Sequence, residues 1–335
     1  MQLIRPAAVV VATGLALTAC SAGGTAARSS ARSVTAKPIA ATQPTATDPA
    51  TTHPPATTAA PATTRPTTPA TAPPPTTAVP GGWRVVASGP QGPAIEQRTV
   101  YVPGGDTVVL LRFLAGRTLF RLHVGSTDPP GATASVPASA GPAVTAAERP
   151  LLLGAFNGGF KTDTYSGGVE AAGVTLVPLR VGEASLVIDS NGQARVAVWG
   201  SGTPRPGESV ASVRQNLPPL ISGGQPSSAV NVISAWGATL HGYSHVARSA
   251  LGTDAAGNLV YAASSSAVPV DLSTALLDAG CVTAMELDIN PYWVQADVAA
   301  TPGAPLTAVV PGQNQPASRY LYGWTRDFVT VLAAP

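Results

Sequence analysis

Two stretches and a pair of arginine sites in this chain of 335 residues hold the side chains best suited to chemistry. The first is Val282 to Trp293. If it is extended, alternation sets Met285, Leu287 and Ile289 on one face and Glu286, Asp288 and Asn290 on the other. Carboxylates two residues apart on a strand sit about 6.5–7 Å apart at Cα, close enough to split their pKa values and serve as acid and base. Tyr292 and Trp293 add aromatic rings beside them, as sugar sites often have. A plain exposed sheet face would show the same alternation.

The second stretch is Asn157-Gly158-Gly159-Phe160-Lys161, directly after the apolar run Leu151 to Phe156. Consecutive glycines after a buried strand can turn their N–H groups outward and form an anion-binding concavity, or simply make a tight turn. Lys161 favours the first reading, because Lys37 is the only other lysine in a chain that otherwise uses Arg. The third feature is a pair of arginine sites, Arg248 and Arg326-Asp327, each suited to clamp a phosphate, orient a carboxylate or form a structural ion pair. His241 and His245 lie four apart, but Gly242 between them argues against a helical metal pair. Glu286, Asp288 and Asn290 are hard oxygen ligands, which leaves calcium or magnesium open, and no other cofactor is implied. There is no nucleophile elbow, phosphate loop or dinucleotide fingerprint. A net charge of +2 gives no basic stripe for a nucleic-acid partner.

These residues need a scaffold, and Gly81 to Pro335 supplies apolar runs punctuated by Gly, Pro and Asn, which is the pattern of strands and turns. Leu186 to Val198 predicts a hairpin around Asn191-Gly192. Val108 to Val124, turning near Ala115-Gly116-Arg117, and Ala250 to Ala263, turning through Asp254 to Gly257, are two more. A helix is expected from about Leu272 to Ala279, with Asp271 as N-cap and Gly280 beyond its end, and a weaker one before Pro150. The expected class is α+β, rich in mixed or antiparallel sheet with a few short helices, as one globular domain.

Ahead of that domain the chain reads differently. Met1 to Ala19 has Arg5, an apolar run from Ala7 to Leu17 and small residues at its end, which predicts a signal peptide. Leu17-Thr18-Ala19-Cys20 resembles a lipobox, so Cys20 is the expected lipidation site. Residues 20–80 are almost all Ala, Thr, Pro and Ser, a composition that predicts a disordered, polyproline-like tether reaching on the order of 150 Å. The expected location is the outer face of the cytoplasmic membrane, with membrane contact through the lipid alone. Cys281, the only other cysteine, sits between Gly280 and Val282 and reads as a buried structural thiol. Nothing in the sequence fixes an oligomeric state.

Taken in order, Ala155 to Lys161, Val213 to Ile221, Arg248 to Gly252 with its Asp254–Gly257 turn, and Ala284 to Pro291 resemble the phosphodiester glycosidase family, especially its actinobacterial lipoprotein members. The ending Thr325 to Phe328 matches those members too, and the likeness spans about 100–335. It implies a hydrolase acting on the glycosidic bond of a sugar-1-phosphodiester, with a carbohydrate phosphodiester or cell-wall glycan as partner. Asn157, Gly158, Gly159, Arg248 and Asp288 fall on the family's recurrent positions. Asp288 and Glu286 are then the catalytic candidates. Asn157, Gly158, Gly159, Lys161, Arg248, Asn290, Arg326 and Asp327 are the substrate-binding ones. The family's Asp is followed by glycines, whereas Ile289-Asn290-Pro291 stands here. That departure keeps a second reading in view: a non-catalytic, glycan-binding envelope lipoprotein on the same fold.

Overall fold

The computed structural model describes residues 78–79, 82–102, 107–164 and 166–335. The expected signal peptide, Cys20 and nearly all of the tether lie outside the described residues. Ala78–Val79, expected to close the tether, is instead a short strand paired with Trp83–Gly89.

The largest sheet explains why neighbouring residues in its strands are both apolar. Its order is Ala78–Val79, Trp83–Gly89, Gly92–Tyr101, Thr107–Phe113, Leu259–Ala267, Val246–Asp254, Cys281–Glu286, Ile221–Ser222 and Gln225–Pro226. Successive side chains point to opposite faces, and both faces of this sheet are covered. Leu111, Tyr261, Leu251 and Met285 enter the main core, shared with the other two sheets. Leu110, Val260, Ala250 and Ala284 enter a second core under the helix Pro269–Asp278. The Trp83–Tyr101 strands belong to the sheet, and Ala87, Ala94 and Ile95 are in its core, so the folded domain begins well before residue 100.

Every strand pair among the described residues is antiparallel. The second sheet carries the Leu186–Val198 hairpin as predicted, with strands Ala184–Asp189 and Ala194–Val198 in register. Only Gly192 in that turn has positive φ, at 81°, while Asp189 Oδ1 accepts the amides of Asn191 and Gln193 at 2.8 and 2.9 Å. The Val246–Asp254 and Leu259–Ala267 hairpin also forms as read.

The hairpin expected from Val108 to Val124 does not form. Thr107–Phe113 pairs in the large sheet, whereas Thr118–His123 crosses to a third sheet, ordered Thr307–Ala308, Ala296–Val298, Leu152–Asn157, Phe328–Ala333 and Thr118–His123. The helix before Pro150 is replaced by a turn and a single 3-10 turn at Arg149–Leu151. The helix near residue 272 starts earlier than expected. Pro269 is tolerated at the first helical position, and Asp271, two residues inside, accepts the Val268 amide at 3.0 Å instead of acting as N-cap. Gly280, with φ 88°, terminates it as expected.

Candidate functional site

Two pairings bring the chemical stretches together. In the third sheet Phe328 is opposite Asn157, so the Gly158-Gly159 turn and the Arg326-Asp327 segment lie side by side at the same end of two adjacent strands. In the large sheet Ala250 is opposite Glu286, which sets Arg248 near the end of the acidic strand. The sheets are joined at this point by Asn157. Its Nδ2 donates to Ser249 Oγ at 2.9 Å, and its Oδ1 accepts from the Tyr261 hydroxyl at 2.8 Å.

The strand from Cys281 ends at Glu286, not at Asn290. Beyond it the Leu287 amide and the Asp288 carbonyl still bond to Ser249, both at 2.8 Å, and the chain then turns away. The expected acidic face is split as a result. Asp288 lines a cleft of about 580 Å³ together with Phe160, Lys161, Asn290, Trp293 and Arg326. Glu286 does not line it: it is fully buried behind, with Oε1 accepting from Arg248 at 2.6 Å.

Arg326 organises the cleft floor. One terminal nitrogen donates to the Gly159 carbonyl at 2.7 Å and to Asp288 Oδ2 at 3.1 Å. Its Nε lies 3.5 Å from Asp128 Oδ2, and its guanidinium sits 5.1 Å from the centre of the Trp293 ring. The other Asp288 oxygen accepts the Ile289 amide at 2.8 Å. Burial drives the Asp288 carboxyl up to about 7, with the neighbouring Asp327 charge adding to the rise and Arg326 opposing it. Glu286 is pushed up to about 8, again by burial first, against the pull of Arg248. The two carboxyls therefore do not separate into one strong and one weak acid, because desolvation raises both.

Four of the predicted site residues meet at the cleft: Lys161, Asp288, Asn290 and Arg326. Asn290 also serves its own turn, its Oδ1 accepting the Tyr292 amide at 2.9 Å. The remainder form a buried frame, and several expected roles change. The Gly158 and Gly159 amides do not open into the cleft to receive a ligand's anion. They donate to the Asp327 carbonyl at 3.0 Å and to Asp327 Oδ2 at 3.3 Å. These glycines are instead a close-packing joint, since a Cβ on Gly158 would lie 2.0 Å from Asp327 Oδ2. Arg248 does not reach the cleft either. It is buried, paired with Glu286, and donates to the Ala267 and Trp236 carbonyls at 3.0 and 3.3 Å. Asp327 is held by Arg214 Nε at 2.7 Å behind the floor. Asn157 is buried as the bridge between sheets.

Sequence reading missed Asp128, Arg214, Asn216 and Gly237. Asp128 Oδ1 accepts from the Thr162 hydroxyl at 2.7 Å, tying the Lys161 segment to the Arg326 side. Asn216 accepts the Phe160 amide at 3.1 Å and donates to the Glu286 and Leu287 carbonyls, both at 2.8 Å. A lone arginine inside the otherwise uncharged strand Val210–Gln215 was a usable signal for Arg214. Gly237 has φ 90°, a Cβ there would lie 2.8 Å from the Phe160 ring and 2.9 Å from Ile289 Cδ1, and no local pattern marks it. Cys281 is buried, and burial pushes its thiol up to about 12, as expected of a structural cysteine. His241 and His245 are exposed. Among the described residues no cluster of three or more His, Cys, Asp or Glu side chains could hold a metal ion.

No family model matches the chain, and no curated protein matches it significantly. Several solved structures are similar in shape. The catalytic domain of zebrafish N-acetylglucosamine-1-phosphodiester α-N-acetylglucosaminidase, auto-inhibited by its pro-peptide, is 16% identical, with 76% of this chain and 88% of that one covered and a TM-score of 0.48. A hypothetical protein from Synechocystis is 14% identical, with 72% and 62% covered and a TM-score of 0.42. An exported protein from Burkholderia pseudomallei is 12% identical, with 68% and 74% covered and a TM-score of 0.38.

Proposed function

We propose that this chain hydrolyses the glycosidic bond of a sugar-1-phosphodiester at the Asp288 cleft, outside the cytoplasmic membrane and anchored through a lipid on Cys20. The observation that carries the reading is Asp288 on the cleft floor, held by Arg326, with Lys161 at the rim. A carboxyl raised to about 7 is poised to accept a proton near neutral pH, and the two cations suit a phosphate. Water would add at C1 as the C1–O bond to phosphate breaks. Asp288 takes the water's proton, and the phosphomonoester leaves with the bonding electrons against Arg326 and Lys161. The phosphate is already a good leaving group, so one carboxylate in the cleft suffices. Glu286 is a positioning residue in this scheme, holding Arg248 beneath the Trp236 carbonyl.

One observation favours binding without hydrolysis: Asp288 is 4% exposed, and both its oxygens already have partners. A panel of sugar-1-phosphodiesters incubated with wild type, with and without EDTA, and with Asp288→Asn separates the two. Free sugar and phosphomonoester from wild type, lost in Asp288→Asn, supports hydrolysis. Silence across the panel with a raised melting temperature supports binding alone.

A further inference from the structure

Trp293 borders two concavities. One is the Asp288 cleft, and the other, of about 760 Å³, is lined by Tyr292, Trp293, Gln315, Arg319, Tyr322 and Trp324. Between them runs a stack in which cations and rings alternate at its ends. Arg326 lies over the Trp293 ring, Trp293 meets Trp324 edge-on with centroids 5.5 Å apart, and Arg319 sits 5.2 Å from the Trp324 ring centre. The base of this stack is rigid, because Tyr320 is fully buried, meets Trp324 edge-on at 6.4 Å and stacks on Phe328 at 4.4 Å.

The rim has the opposite character. Tyr292 is 56% exposed and Tyr322 is 78% exposed, a large apolar display for one small area of surface. Arg319 is fixed by its Nε donating to Gln315 Oε1 at 3.2 Å, so a charged donor and an amide stand beside the rings. An aromatic floor with polar groups at its edge matches a pyranose, whose C–H face stacks on rings while its hydroxyls hydrogen-bond outward.

We propose that this concavity is a second carbohydrate subsite, taking a neutral pyranose of a glycan whose phosphodiester occupies the Asp288 cleft. The assignment of the neighbouring phosphodiester rests on the function proposed above, but the subsite itself is tested by binding alone. The substrate class narrows to a phosphodiester-bearing oligosaccharide or polysaccharide, as against a single sugar phosphate.

The test is saturation-transfer NMR of the full chain with triacetylchitotriose, maltotriose, α-1,6-mannotriose and uridine monophosphate as separate probes. Wild type is expected to bind at least one trisaccharide. The Tyr292→Ala/Tyr322→Ala variant, altered only at exposed side chains, should weaken that binding about tenfold or more, and Asp288→Asn should hold it within about twofold. No trisaccharide binding, binding unchanged in the tyrosine variant, loss only in Asp288→Asn, or binding of uridine monophosphate alone would each overturn the proposal. Because Asp288→Asn is an arm of the binding test, failed hydrolysis in the cleft and a failed subsite give different results.

Discussion

Asp288 and Glu286 share a strand alternation, yet only Asp288 reaches the cleft, because the regular strand ends at Glu286 and, after the last backbone bonds to Ser249, the chain turns away at Ile289. Burial raises the Asp288 carboxyl to about 7, so the ionised form needed for proton acceptance grows in as pH rises. The rate kcat/KM should therefore climb through about pH 7 and level off above it, and a profile that is flat or falls between about pH 6 and 8 contradicts that role. Gly158 makes a second residue-scale prediction. A Cβ there would lie 2.0 Å from Asp327 Oδ2 and 2.9 Å from the Asp327 carbonyl oxygen, so Gly158→Ala must displace the partner of Arg214. Overpacking of this kind costs about 1–3 kcal/mol, or more where a buried ion pair is disturbed, readable as a lower urea midpoint. The glycine pair was visible in the sequence, but its purpose was not. A glycine that admits a neighbour and one that frees its own amide look alike until Asp327, 169 positions from Gly158, is placed against it.

The elements that local signals specify were legible in the sequence, and those fixed by distant partners were not. Gly192, the Asp254–Gly257 turn and Gly280 each act within a few residues, and the two hairpins and the helix end follow them. The Val108–Val124 segment carries an equally good turn at Gly116, but its strands find better partners, Leu259–Ala267 and Phe328–Ala333, which lie far along the chain. The segment before Pro150 is another such case: it is pinned by a buried contact, not by helix periodicity. Burial acts to raise the Glu148 carboxyl, but the hydrogen bond and electrostatic pull of His123, with the Thr145 amide and hydroxyl, hold it at about 2. A depressed folded pKa gives stability that is present above the unfolded value and lost as pH falls through about 2. Glu148→Gln should cost about 3 kcal/mol near neutral pH, with the gap to wild type closing between about pH 4.5 and 2 in acid-unfolding curves. A gap independent of pH would show that the contact works through packing alone.

At the scale of the whole molecule, the proposed lipid anchor and spacer precede a sheet-built domain in which Trp293 borders both the Asp288 cleft and its neighbouring concavity. The anchor is a sequence reading. Labelled fatty acid should be incorporated into wild type and not into Cys20→Ala, with activity unchanged, and equal labelling of the two would contradict lipidation at Cys20. In the proposed reaction the bond broken is the one between sugar C1 and the phosphate oxygen. The most direct measurement is hydrolysis of a sugar-1-phosphodiester in ¹⁸O-labelled water, followed by mass spectrometry of both products. The label is predicted in the sugar hydroxyl, with the phosphomonoester unlabelled and all turnover lost in Asp288→Asn. Label in the phosphate would mean cleavage on the phosphorus side, and would contradict a glycosidase built around Asp288 and Arg326.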